Sequence, residues 1–581
     1  MEDAIELVFV PGPAVGHLFP AVETAKLLLQ TNPHLSITFL LNKMPFAPQA
    51  RVNSIIDSLI ADADPAEKRL NFKLLLQDLV LDLQNPGFPD GKSIVDQWTS
   101  TLLSEARDCV NELIIQNARR RLAGFVVDIF FTDVMDVADE FGVPTYVLYV
   151  AGAATLGLHF HFQSLKDHHH GTLHDFIKED YLNVPTYINP FPVNLLPTFV
   201  LNTTDGILDY AKQFRRAKGI IANTFFDLEP YALQSLSKDK TIPPVYPIGP
   251  VLNLNVRTPQ ESHDQIFEWL DDQPPSSVVF LCFGSTGTFP EPQVKEIAYA
   301  LERSGQRFLW ALRKQPSPGS SSVVLTEYTN LEEILPEGFL EKTKNIGKII
   351  GWTPQSAVLA HPAVGGFVSH CGWNSILESC WFGVPIGTWP MSAEQPENAF
   401  QLVREIGMAV EIKMDYRTDL RDAKMNNIPI VPEIVSANDI EIGITNLMDD
   451  STAKSIRIKA KEIKEKSRKA LEEGGSCFNA IEDFFENSFT MEDANNNNIE
   501  LVFVPAPAMG HFVSAVGTAK LLLQRQPQLS ITVLIMKVHL IPDARINAYI
   551  DSLIADEKDM NPRLKLILLP KLTRSNLIVR E

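Results

Sequence analysis

At 581 residues the chain is several times longer than one hydrophobic core requires, so two or more domains are expected. Its 45% hydrophobic and 21% charged residues are those of an ordinary globular enzyme. The 71 acidic against 51 basic side chains, a formal charge of -20, argue against nucleic acid and anionic lipid as partners.

The opening MEDAIELVF has no basic stretch ahead of its apolar run, and the chain carries no apolar run of the roughly 18 residues that would read as a membrane span, so a cytoplasmic protein without integral membrane association is predicted. From there, Ile5 to Val10 reads as a strand, Pro20 to Gln30 as a helix with proline in its first turn, and Leu35 to Leu41 as a second strand. This is a βαβ unit. The alternation returns at Gly124 to Val127, Thr145 to Val150 and Gly219 to Ala222, which favours a parallel sheet wrapped by helices. A proline-rich break at Tyr246 to Pro250 precedes a second series of strands at Ser277 to Phe283, Arg307 to Leu312, Gly347 to Ile350, Gly365 to Ser369 and Pro385 to Trp389. Two doubly wound α/β domains would leave a cleft between them, with ligands beyond the carboxyl ends of the strands. Pro316 to Ser322 reads as a solvated loop and Lys459 to Lys469 as a basic surface helix. Cys109, Cys282, Cys371, Cys380 and Cys477 are odd in number, sit mostly in apolar segments, and read as reduced core residues.

The end of the chain repeats its beginning. Ile499 to Gln524 matches Ile5 to Gln30 at 20 of 26 positions, and the offset continues without a gap to Asp62 and Asp556. An Asn495 to Asn498 linker precedes the copy, which has no counterpart of the strand at Gly124 to Val127. A fragment of about three strands cannot cover its own faces and edges, so a truncated copy, docked or mobile, is expected. His511 repeats the context of His17, PAPAMGH against PGPAVGH. With no counterpart of Asp128 and no donor domain of its own, it predicts no second active site. An exchange of the copy with the first strand pair of a neighbouring chain stays open.

The most informative segment is Trp352 to Gln395, WTPQSAVLAHPAVGGFVSHCGWNSILESCWFGVPIGTWPMSAEQ. It resembles, end to end and without a gap, the donor-binding signature of plant family 1 UDP-glycosyltransferases. Trp269 to Ser285, Gly219 to Pro230 and the opening VFVPGPAVGH support the resemblance, which covers residues 1 to about 490. It implies a GT-B fold, two Rossmann-like domains facing across a cleft. On that basis residues 1–245 form the acceptor domain, 246–256 a linker, 257–465 the UDP-sugar domain, 466–490 a returning helix, and 491–581 a linker with a truncated copy of residues 1–80.

The residues carry their own logic. Gly365 to Ser369 is an apolar strand leading through His370-Cys-Gly-Trp-Asn-Ser375 into a helix, whose unpaired N–H groups and positive dipole end suit a diphosphate. His370, Asn374 and Ser375 add side-chain donors, as the family's counterparts do, and Gly284-Ser285 offers a second small-residue turn. By resemblance, Trp352 stacks on uracil, Gln355 helps fix the nucleoside, and Glu378 holds the ribose hydroxyls. Trp373, Glu394 and Gln395 resemble the positions that contact the transferred sugar, and glutamine at the last is the family's usual choice for glucose.

His17, after the first strand, is the candidate base: an imidazole with an ordinary pKa of about 6.5 can be neutral and accept a hydroxyl proton. Asp128, following Gly124 to Val127, is its candidate partner. The expected reaction is inverting and metal-independent, with UDP-sugar as co-substrate, no cofactor, a small lipophilic hydroxyl acceptor and a monomeric enzyme. The alternative is a catalytically silent UDP-sugar-binding or regulatory protein. Loop composition around Phe160 and Phe162 suggests apolar, aromatic surroundings for the acceptor.

Other signals carry less. Asp62-Ala-Asp64 has the form of a metal-binding pair but follows a helical pattern and reads as an exposed loop. The tract of His159, His161, His168, His169, His170 and His174 lacks ligand spacing and reads as a surface loop. Asp133, Asp136 and Asp139 read as a helix's polar face, and Gly12 and Gly16 do not make a dinucleotide fingerprint.

Overall fold

The computed structural model describes residues 5–10, 35–41, 70–75, 91–116, 121–168, 172–173, 177–196, 200–201, 207–252, 254, 260–284, 287–314, 326–351, 353–416, 433–488, 499–504, 509–526, 529–535 and 564–568. The expected helix at Pro20 to Gln30, the Asp62-Ala-Asp64 pair, the Pro316 to Ser322 loop and His169, His170 and His174 lie outside them.

The first domain's strands are β1 (Ile5–Val10), β2 (Leu35–Leu41), β3 (Leu70–Leu74), β4 (Arg121–Asp128) and β5 (Thr145–Tyr149). A short antiparallel hairpin, β6 (Tyr181–Leu182) and β7 (Phe191–Pro192), stands apart, and β8 (Gly219–Ala222) and β9 (Val245–Pro247) complete the parallel sheet. The runs that form β4, β5 and β8 are buried on both faces, which is why they read as continuous apolar stretches rather than alternating ones. β4 pairs with β5, β5 with β8 and β8 with β9, all in parallel.

The second domain holds β10 (Val278–Cys282), β11 (Arg307–Ala311), β12 (Gly347–Ile350), β13 (Val364–Ser369), β14 (Ile386–Thr388) and β15 (Ala409–Glu411). Their spatial order, β12-β11-β10-β13-β14-β15, reverses between β10 and β13. At such a reversal the connections leave in opposite directions and open a crevice at the carboxyl ends of the two strands. That crevice receives Gly284 after β10 and His370 after β13.

The strands expected from sequence appear with ends within three residues, and β1, β2, β8 and β12 match to the residue. The proline-rich break is different: Val245–Pro247 is a strand registered on Ile220 to Ala222, so the first sheet runs into it. The lost N–H of Pro247 is tolerated because β9 is the edge strand. His159, His161 and His168 are not in a loop but on the Ala153–His168 helix. His159 is enclosed beside Tyr149 and Phe214, and burial lowers its pKa to about 4. Phe160 and Phe162 on the same helix are core residues, 4% exposed, not an acceptor-facing loop. Asp136 and Asp139 do form a polar face, each bound to Arg216. Cys282, Cys371, Cys380 and Cys477 are buried and Cys109 half-buried, all as free thiols.

The Ser476–Ser488 helix packs on the first domain, where Phe484 meets Tyr146 and Tyr246 edge to face at 4.9 and 5.2 Å. Beyond it lie β16 (Ile499–Val504), the Met509–Arg525 helix, β17 (Leu529–Ile535) and β18 (Leu564–Leu568), the three strands joined to the first sheet. β16 to β18 pair among themselves as β1 to β3 do. Among the described residues no helix is long and apolar enough to cross a membrane.

Candidate active site

The helix Trp373–Phe382 starts with Gly372 at its N-cap, extended at φ -63°, ψ 140°, with no side chain capping the first turn. Its leading N–H groups therefore point, uncapped, into the crevice, an arrangement that favours an anion. Just before it, Cys371 takes a left-handed φ of 62°, an uncommon state for a residue with a Cβ. It is held by its own N–H donating to Ser369 Oγ at 3.1 Å and its carbonyl accepting from Asn398 Nδ2 at 3.0 Å.

His370 sits between two glycines. A Cβ on Gly284 would fall 2.6 Å from His370 Nε2, and one on Gly372 would fall 2.5 Å from the same atom. Gly284 also has φ +74°, so both its conformation and its missing side chain are used. The imidazole's Nδ1 is buried without a hydrogen-bond partner among the described residues, and burial lowers the ring's pKa to about 4. A neutral ring whose Nε2 edge lies against the glycine that caps a helix start can accept from or donate to a ligand there.

A second cluster stands one helical turn away. Gln355, first residue of the Gln355–Ala360 helix, donates Nε2 to Ser375 Oγ at 2.8 Å and to Glu378 Oε2 at 2.7 Å. Burial pushes the Glu378 carboxyl up to about 7, with the Gln355 hydrogen bond working against it. Asn374 is half-exposed in the first turn beside them.

At the far end of the segment, Gln395 turns its Oε1 to the backbone N–H groups of Met391 and Ser392, both at 2.9 Å. That leaves its amide nitrogen as the end that can face a sugar hydroxyl. Glu394, just after the left-handed Ala393 at φ 54°, is raised in pKa by burial. Trp373 is 3% exposed and gives its indole N–H to the Asn223 carbonyl of the first domain at 2.7 Å. That donor is committed to the domain interface rather than to a ligand.

On the first domain, Asp128 ends β4 with its carboxyl fully buried, Oδ1 accepting from Phe130 N at 3.1 Å. Burial raises its pKa well above the usual carboxylate range. His17, Ser285 and Trp352 lie outside the described residues. Gln355, His370, Trp373, Asn374, Ser375 and Glu378 are thus brought together around the strand-order reversal, while Asp128 stands at the carboxyl edge of the other sheet.

Glu229 was not singled out by sequence. It is 3% exposed and accepts from Ala153 N, Ala154 N, Thr224 Oγ1 and Gln401 Nε2 at 2.6 to 3.0 Å. It caps the Ala153–His168 helix and binds the second domain through Gln401. The only sequence signal was its place in GIIANTFFDLEP, a stretch that carried resemblance but no role.

A family model described as UDP-glucoronosyl and UDP-glucosyl transferase matches residues 244–428. The chain is 46% identical to UDP-glucose flavonoid 3-O-glucosyltransferase 6 of Fragaria ananassa, over 84% of this chain and 99% of that protein. It is 47% identical to UDP-glycosyltransferase 71E1 of Stevia rebaudiana, over 83% and 98%. Among solved structures it resembles a transferase from Siraitia grosvenorii in complex with UDP, with TM-score 0.71 and 40% identity over 83% of this chain and 99% of that one. It also resembles Medicago truncatula UGT71G1 complexed with UDP-glucose, with TM-score 0.66 and 35% identity over 84% and 98%.

Proposed function

The chain belongs to the UDP-glucoronosyl and UDP-glucosyl transferases, as a plant glycosyltransferase of GT-B fold, and from that premise we propose that it moves glucose from UDP-glucose to a hydroxyl of a small lipophilic acceptor, phenolic, flavonoid or terpenoid, with inversion. The observation that carries this reading is the crevice at the β10/β13 reversal, where an uncapped helix start, the His370 ring between Gly284 and Gly372 and the Gln355–Ser375–Glu378 cluster converge. In this reading the diphosphate lies against the helix start with His370, Asn374, Ser375 and Ser285, and its charge is met by N–H dipoles and side-chain donors. Trp352 stacks on the base, Gln355 and Glu378 hold the nucleoside, and Glu394 and Gln395 read the sugar hydroxyls.

His17 serves as general base. The acceptor hydroxyl gives its proton to the imidazole as its oxygen bonds to the anomeric carbon. The bond from that carbon to the phosphate oxygen breaks, and UDP leaves with the electron pair. Asp128 supports this because a carboxyl so deeply buried is costly to ionise alone and readily pairs with a forming imidazolium. Supply of UDP-glucose with a panel of phenolic, flavonoid and terpenoid acceptors, followed by NMR of the anomeric proton, tests the reading. An inverted glucoside is expected. Retention of configuration would refute the single in-line displacement, and UDP-glucose binding without product across the panel would favour a silent binding protein.

A further inference from the structure

The helix that Gln395 opens lies along the seam between the two domains. Gln395–Gln401 runs on into a widened turn, Leu402–Ile406, closed by Gly407 N donating to the Leu402 carbonyl at 2.9 Å. In chain order this segment belongs to the second domain, yet it is bonded to the first from Asn398 to Glu405. Asn398 is fully buried; its Oδ1 accepts from Thr155 Oγ1 at 3.4 Å, and its Nδ2 donates to the Cys371 carbonyl at 3.0 Å. The Phe400 ring meets Phe191 and Tyr187 at 5.3 and 5.9 Å. Glu405 Oε1 accepts from the backbone N–H groups of Ile188 and Asn189 at 2.7 and 3.0 Å.

The shortest side-chain bond of this set is Gln401 Nε2 to Glu229 Oε1, 2.8 Å long and buried. Glu229 is held on its own side by three first-domain donors. Ala153 N and Thr224 Oγ1 take Oε2 at 2.8 and 2.6 Å, and Ala154 N takes Oε1 at 3.0 Å. The carboxyl is therefore fixed in orientation before it meets Gln401, and it offers that residue one defined acceptor position. A helix rises about 1.5 Å per residue, which sets Gln401 roughly 9 Å along the axis from Gln395. A short rigid element of this kind carries a shift at one end to the other.

We propose that Glu229, acting through Gln401, is a positioning residue for transfer: it sets where the sugar held by Gln395 stands relative to the acceptor hydroxyl. This rests on the glucosyl-transfer reading, with Gln395 at the sugar. Correct placement favours the acceptor oxygen over water at the anomeric carbon. In the competing reaction a water oxygen bonds to that carbon and gives up one proton, UDP leaves with the electron pair, and the product is free glucose.

Full-length variants test this, with glucoside and free glucose measured together on an acceptor that the parent uses, and UDP affinity measured by calorimetric titration. Gln401→Leu removes the bond and leaves Glu229 its three other donors. Its kcat for glucoside should fall about tenfold or more, the scale of a misplacement of less than 1 Å. The share of UDP-glucose lost to water should rise, and UDP affinity should stay at the parent's value, because the anion cradle lies on a different helix. Glu229→Gln should act in the same direction, and adding Gln401→Leu to it should cause no further loss, since both changes break one bond. Gln401→Leu decides alone should Glu229→Gln fail to fold. Parent-like kcat and glucose release in Gln401→Leu overturn the positioning role and leave glucosyl transfer standing. UDP affinity falling as far as kcat overturns it too, by showing general loosening of the donor site. A parent that forms no glucoside overturns the transfer reading and this role with it.

Discussion

Gly284→Ala separates backbone conformation from ligand geometry. Gly284 has φ +74°, and a Cβ there would stand 2.6 Å from His370 Nε2 and 2.8 Å from Cε1 of the same ring. The left-handed backbone alone costs a residue with a Cβ roughly 1–2 kcal/mol. The clash adds a second effect, because the imidazole must leave its place between Gly284 and Gly372. If His370 binds a phosphate oxygen, losing that hydrogen bond to a charged group removes about 1.5–3 kcal/mol of binding, or roughly ten- to a hundredfold in affinity for UDP. Gly305→Ala is the control: φ is +61° but nothing lies within 4 Å of the added Cβ. It should lower stability by a similar roughly 1–2 kcal/mol and leave UDP binding unchanged. Calorimetric titration with UDP and denaturant unfolding of both variants decide the matter. Parent-like affinity in Gly284→Ala, or equal weakening in Gly305→Ala, would refute the placement of His370 on the diphosphate.

Glu378 holds its proton up to about 7 when folded against an ordinary 4.5, so the folded state binds more protons across that window and stability is lost as pH rises through it. The Tm of Glu378→Gln should therefore fall less than the parent's on going from about pH 5 to about pH 8; parallel curves would remove Glu378 as the source. Glu229→Ala strands four buried donors and should cost roughly 3 kcal/mol or more in denaturant unfolding; a loss under about 1 kcal/mol would show that the donors find other partners. Gln395→Ala releases the Met391 and Ser392 N–H groups, and in competition between UDP-glucose and UDP-galactose it should narrow the preference for glucose by roughly tenfold or more. An unchanged ratio would place sugar readout elsewhere.

The parallel strands were readable because burial on both faces leaves an unbroken apolar run, as at Val278–Cys282, where Phe283 extends the run before Gly284 ends it. Val245–Pro247 was obscured for the opposite reason: its prolines signal a break unless one knows that the strand lies at an edge. Leu70–Leu74 has a polar and a basic residue among five, too short a pattern to stand out. The donor crevice was legible as one contiguous segment, yet its internal wiring was not. Gln355 and Glu378 are 23 positions apart, and only the fold brings their side chains to 2.7 Å. Glu229 and Gln401 meet across 172 positions. Trp373 resembled a sugar contact, but nothing in its neighbours announced that its N–H would be spent on Asn223.

That last bond has a mechanical consequence. The indole belongs to the first residue of the donor helix, while the carbonyl belongs to the loop that follows β8 in the opposite half. Swinging the halves apart must strip a buried N–H of its acceptor, at a cost of about 1–3 kcal/mol, before the gap can widen there. The latch and the anion cradle are thus parts of the same turn of helix, so a motion that admits one substrate is felt by the residues that grip the other.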